Sequence, residues 1–143
     1  TAAAQDSEPN KITGRILYLD FWFTNCGYCF KGFKELQQVH DYYKTNPNVS
    51  VYAIHNGSGG PQEISRGIAK IRDLGYDFPV LVDSASIFSK SNLTNEYPSQ
   101  LLIDQNGIVN YRIVGYGIDS RSWQVNWIKT KVAEMIKKGA LGH

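Results

Sequence analysis

The two cysteines of the chain lie close together, in the stretch DFWFTNCGYCFKGFKEL at residues 20 to 36. That pair constrains the chain more than any other feature. Two cysteines cannot staple a disulfide-rich scaffold. A structural zinc site usually takes four ligands, and only His40, His55 and His143 could complete one. None of the three stands at the spacing of a Cys-His zinc motif. The flanking sequence therefore has to distinguish a redox couple from two inert core thiols. Residues 15–23 (RILYLDFWF) are apolar, branched and aromatic, which predicts a buried strand. From Cys26 to Tyr43 the apolar residues Cys29, Phe33, Leu36, Val39 or His40, and Tyr43 recur at helical spacing, and Asn46-Pro47 ends the predicted helix.

A pair at the junction of a buried strand and a helix has a definite chemistry. Cys26 falls in the first turn, where free backbone N–H groups and the helix dipole favour an anion. Thiols at such sites ionise near about 3.5–7.5, against about 8.5 for free cysteine. Cys29 lies one turn further on, in line with Phe33 and Leu36, and is expected to be the more buried. The two sulfurs then share one helical face and can close a small ring. In the redox reading Cys26 attacks a disulfide or is attacked, and Cys29 resolves the mixed disulfide.

The rest of the chain alternates strand and helix. Residues 49–55 (VSVYAIH) read as a second strand and NGSGGP at 56–61 as a loop. A helix is predicted from Glu63 to Leu74, with Ile64, Ile68 and Ile71 on one face and Gly75 ending it. A short strand at 78–82, a helical turn near 87–91 and a strand at 100–103 follow. Asp104-Gln105-Asn106-Gly107 reads as a hairpin turn into a strand at 108–116. Ser120 is placed as the cap of a last helix running to Lys138 and ended by Gly139, with Trp127 or Ile128, Val132, and Met135 or Ile136 inward. Alternation followed by a hairpin implies an α/β fold with a mixed sheet flanked by helices. One domain over residues 15–140 is expected. The polar residues 1–14 read as a linker, and 141–143 as the remnant of a tag.

Composition excludes several classes. The chain has 143 residues and a net charge of +2, with its Lys and Arg scattered, so nothing advertises a nucleic-acid surface or a polybasic membrane patch. No apolar run approaches the ~18 residues of a membrane span. The glycines of NGSGGP lack the Lys-Ser/Thr of a phosphate loop.

Asp20-Phe21-Trp22 followed by Cys26-Gly27-Tyr28-Cys29 resembles the active-site strand and helix of the thioredoxin superfamily. The runs FPVLVDS and YPSQLLIDQNGIVNYRIVGYG are similar to the TlpA/ResA-like thiol–disulfide oxidoreductases, which carry an extra helix and strand in mid-domain. The resemblance covers the chain from about residue 15 onward. It implies a thioredoxin-like fold with that insertion and a protein thiol–disulfide oxidoreductase with Cys26 as nucleophile and Cys29 as resolver. By the same match Asp20 is a buried acid/base for Cys29, and Pro98 is a cis-proline lying against the pair. Tyr97 then contacts substrate, with Tyr28 and Tyr116 completing a rim, while Trp22 and Gly27 are structural. No metal or organic cofactor is implied beyond the redox-active disulfide. The implied partners are a protein substrate and an upstream dithiol electron donor, with no nucleic acid. The implied setting is bacterial and extracytoplasmic, periplasmic or tethered through a segment elsewhere, and the unit a monomer.

The sequence departs from the family pattern at several points. Gly27-Tyr28 replaces the Gly-Pro of reducing members, and Asn25 stands where many members have Trp. The strand VSVYAIH offers no Lys where thioredoxins place one near the buried Asp. CGYC itself resembles the active site of the periplasmic disulfide isomerase. Reduction of protein disulfides is the leading expectation. Disulfide oxidation or isomerisation, a non-catalytic binding module and a thiol peroxidase are the alternatives. The family's N-terminal hairpin has no counterpart, so one domain of a longer polypeptide is also expected.

Overall fold

The computed structural model describes residues 14–91, 95–115 and 122–141. At its centre is β1 (Ile16–Trp22), which pairs in parallel with β2 (Val49–His55) and antiparallel with β4 (Ser99–Ile103). Strand β3 (Val80–Val82) extends the sheet beside β2, and β5 (Val109–Val114) beside β4. The order is β3-β2-β1-β4-β5, a mixed sheet. Every residue of β2 and β4 is buried, and all but one of β1. Strands buried along their length are what a sheet covered on both faces requires.

Strand alternation divides the core. Ile16, Tyr18 and Trp22 of β1 meet Val51, Ala53 and Leu102 on one face, under Phe33, Leu36, Val39, Ile71, Ile128 and Val132 from the helices. Leu19 and Phe21 join Tyr52, Ile54, Leu101 and Ile103 on the other. The helices are α1 (Gly27–Lys31), α2 (Phe33–Tyr43), α3 (Gly60–Asp73), the short α4 (Ile87–Lys90) and α5 (Ser122–Leu141). Helix α3 and strand β3 form the expected mid-domain excursion, and the fold is thioredoxin-like.

Three helix boundaries differ from the sequence reading, each at a glycine. The single helix expected from Cys26 to Tyr43 is divided at Gly32, whose N–H is shared between the Tyr28 and Cys29 carbonyls at 3.3 and 3.1 Å. Helix α3 starts at Gly60 rather than Glu63, with Pro61 in its first turn, where a missing N–H costs nothing. Its buried residues are Gly67 and Ile71, while Ile64 and Ile68 are only half-buried. Helix α5 runs past Lys138 and Gly139 to Leu141, beyond the domain edge expected at residue 140. A Cβ at Gly139 would lie 2.6 Å from Gln105 Nε2, an atom that donates to the Met135 carbonyl at 3.2 Å. Gly139 thus makes room for a turn residue and does not stop the helix. Ser120 and Tyr116 lie outside the described residues. Among the described residues no helix is long and apolar enough to cross a membrane.

Candidate active site

Strand β1 ends at Trp22, and four residues on the chain reaches Cys26, the N-cap of α1. Cys26 and Cys29 form a disulfide, with an S–S length of 2.06 Å and Cα atoms 5.2 Å apart. Both are buried, Cys26 at 6% exposure and Cys29 at 1%, so Cys26 is the more accessible sulfur. Cys26 adopts the extended backbone of a cap, and its Sγ accepts from the Cys29 N–H at 3.2 Å. The Cys26 N–H donates back to the Phe23 carbonyl at 3.2 Å. A sulfur placed on a helical N–H is prepared to carry negative charge.

Under the pair lies a block of aromatic rings. Trp22 is fully buried and meets Phe30, Phe33 and His55 edge-on, at centroid distances of 5.8, 5.7 and 4.7 Å. Asp20, two residues earlier on the strand, faces the same side of the sheet, the side of the cysteines and α2. It is 1% exposed, and its Oδ1 accepts from Gln100 Nε2 at 3.0 Å. Gln100 stands opposite Asp20 in the antiparallel register and is itself buried. The polar partner of the buried acid thus comes from β4, where the sequence reading had noted only a missing Lys in β2.

The Tyr97–Pro98 peptide bond is cis, and Pro98 is buried. Tyr97 is half-buried and packs edge-on against Phe23 at 5.5 Å, which places it beside the loop that leads to Cys26. Tyr28 is 59% exposed between the two cysteines, with Lys31 Nζ 4.9 Å from its ring centroid. A Cβ at Gly27 would meet nothing within 4 Å, so packing does not require glycine there.

Sequence reasoning missed a second layer around the loop. Thr24, Asn25, Glu63, Arg66, Gly67 and Gln100 were not singled out for it, and His55 entered only as one of three histidines weighed for a zinc site. Thr24 Oγ1 lies 2.9 Å from His55 Nε2 and 2.8 Å from the Glu63 carbonyl oxygen. Burial holds His55 below the usual histidine pKa, against a smaller opposing pull from Glu63. Glu63 is held below the usual carboxylate range, first by its hydrogen bond from Arg66. His40, by contrast, sits on the far end of α2 with Asp41 and Asp77. Gln37 Nε2 donates to Oδ1 of both acids, at 2.9 and 2.6 Å, so an amide already serves them.

The model of one family, described as the AhpC/TSA family, matches residues 1–112. The chain belongs to the AhpC/TSA family. Protein DipZ of Mycobacterium bovis and protein DipZ of Mycobacterium tuberculosis are each 25% identical to it over 108 residues, 74% of this chain. The match spans 15% of the length of those relatives. A thioredoxin-like protein from Porphyromonas gingivalis is 25% identical with a TM-score of 0.65, over 88% of this chain and 78% of its own. A thiol:disulfide interchange protein of the thioredoxin family from Chlorobium tepidum gives a TM-score of 0.68 at 17% identity, over 87% of this chain and 84% of its own. The family match and the closed cystine together put a candidate redox pair on a thioredoxin-like fold.

Proposed function

We propose that the chain reduces disulfides of a protein partner through Cys26 and Cys29. The observation that carries the reading is the cystine, closed across a helix N-cap at the end of the central strand, with Cys26 the more exposed sulfur and the one facing a backbone N–H. In the reducing direction the Cys26 thiolate attacks one sulfur of the substrate disulfide. That S–S bond breaks, one substrate sulfur leaves as thiolate and takes a proton, and a mixed disulfide forms. Cys29 then gives its proton to Asp20 and attacks the Cys26 sulfur. The second substrate thiolate leaves, taking up that proton, and the Cys26–Cys29 bond re-forms. Two electrons have passed to the substrate, and a dithiol donor protein restores them. No metal or organic cofactor enters this scheme.

Asp20 suits its role because it is buried on the cysteine side of β1, where its Oδ1 is held by Gln100 Nε2. Tyr97-Pro98, with Tyr28, forms the docking corner for substrate in this reading. Trp22 packs in the aromatic block beneath the pair. The working unit is a monomer formed by residues 15–140, acting outside the bacterial cytoplasm, either periplasmic or tethered. The interchange activity in the name of the Chlorobium protein and the TlpA/ResA-like motifs support the exchange reading.

The roles of the two sulfurs are tested by trapping. Cys29→Ser should accumulate a mixed disulfide with a reducible protein substrate such as insulin, because nothing resolves it. Cys26→Ser should accumulate none. Trapping by Cys26→Ser alone would reverse the assignment, and trapping by neither would remove the exchange reading.

A further inference from the structure

Two consecutive residues on the approach to Cys26 are held by α3, far away in sequence. Thr24 is 2% exposed, and its hydroxyl meets the Glu63 carbonyl oxygen at 2.8 Å. A carbonyl only accepts, so the single hydroxyl proton is committed there, and His55 Nε2 must donate to Thr24 Oγ1 across 2.9 Å. The Gly57 N–H donates to His55 Nδ1 at 2.9 Å. Both ring nitrogens are thereby assigned, and His55 is the neutral tautomer protonated on Nε2. Asn25 follows: its Nδ2 donates to Glu63 Oε1 at 3.1 Å, and its Oδ1 accepts from Arg66 Nη2 at 2.9 Å. Glu63 and Arg66 pair with each other and close the clasp.

Helix α3 can come this close because position 67 is glycine. A Cβ there would lie 2.5 Å from Thr24 Oγ1 and 2.9 Å from the Trp22 ring. The helix therefore presses directly on the loop that sets Cys26 at its N-cap.

We propose that α3, acting through Thr24, is the positioning element that holds the Cys26 sulfur on the Cys29 N–H and thereby sets the reduction potential of the pair. The inference rests on the exchange reaction proposed above. Reduction takes two electrons and one proton, and converts the disulfide to a Cys26 thiolate and a Cys29 thiol. A hydrogen bond to the thiolate stabilises the reduced form, and so raises the potential. A loop freed from Thr24 lets the sulfur drift from that N–H and loses part of this stabilisation.

The test is the equilibrium of each variant with a glutathione redox buffer, read as the fraction of the pair oxidised. Thr24→Val keeps the shape and deletes the hydroxyl. Its equilibrium should move toward the disulfide by roughly tenfold at most, about 30 mV more negative for a two-electron couple. Thr24→Ser keeps the hydroxyl and should stay with the parent. A folded Thr24→Val that matches the parent overturns the proposal, as does a Thr24→Ser that shifts equally. If Thr24→Val lacks a cooperative unfolding transition, Thr24→Ala is measured in its place. It also deletes the hydroxyl that meets the Glu63 carbonyl oxygen of α3, and the shift expected is in the same direction; its absence overturns the proposal. A parent protein with no reversible couple would remove the exchange reading itself, and this proposal with it.

Discussion

His55 carries a hydrogen bond on each ring nitrogen, accepting on Nδ1 and donating from Nε2. Protonation would turn Nδ1 into a second donor facing the Gly57 N–H, and would place a charge in a fully buried site. Burial accordingly lowers its pKa from the usual 6.5. The sign for stability follows. Below 6.5 the unfolded chain takes up a proton that the folded chain refuses, so the unfolded state gains. The contribution of His55 is full above 6.5 and is lost as pH falls from there toward the lower folded value. His40 is shifted in the same direction by burial, and Asp77 and Asp41 oppose it. Urea unfolding followed from about pH 8 to about pH 5 should show stability falling, by at most about 1.4 kcal/mol per pH unit for each such group. His55→Phe should flatten the slope. An unchanged slope would mean that His55 titrates alike in both states.

At the scale of elements, α4 is begun by an unexpected residue. Its formal N-cap, Ser86, is in the left-handed region at φ 56° and makes no side-chain cap. Asp83 caps instead, accepting from the Ile87 N–H at 2.8 Å on Oδ1 and from the Phe88 N–H at 3.0 Å on Oδ2. Phe88 in turn packs on Phe21 at 4.9 Å and covers the face of the sheet away from the cysteines. Asp83→Ala should cost about 1 kcal/mol, within the usual 0.5–2 for a lost cap, read as a lower urea midpoint with unchanged m-value. A midpoint equal to the parent's would show that the turn holds without it. The elements themselves were legible because their signals are local: β1 and β2 are mostly apolar, branched and aromatic, and Phe33, Leu36, Val39 and Tyr43 mark α2. Glycine was the weak signal. At Gly32, Gly60 and Gly139 it marks a shared N–H, a helix start and a close approach of Gln105, and nothing in the sequence separates these uses.

At the scale of the molecule, the reactive pair was legible because it lies within one turn of helix, and its meaning follows from the strand before it. What surrounds the pair was not legible. Asp20 meets Gln100 across 80 positions, and Thr24 meets His55 and Glu63 across 31 and 39. Such partners are chosen by sheet register and by the approach of α3, which only the assembled order β3-β2-β1-β4-β5 provides. That order puts the cystine at the end of the innermost strand, with α3 on one side of its loop and the Tyr97–Pro98 corner on the other.

The central claim, a dithiol that passes electrons to protein disulfides, is tested most directly by the reduction potential of the Cys26–Cys29 pair in a glutathione buffer. The account predicts a reversible two-electron couple near or below about −250 mV, in the region of thioredoxin. A value between about −120 and −180 mV, the region of oxidases and isomerases, would contradict the direction of electron flow. The absence of any reversible couple would contradict the exchange chemistry altogether.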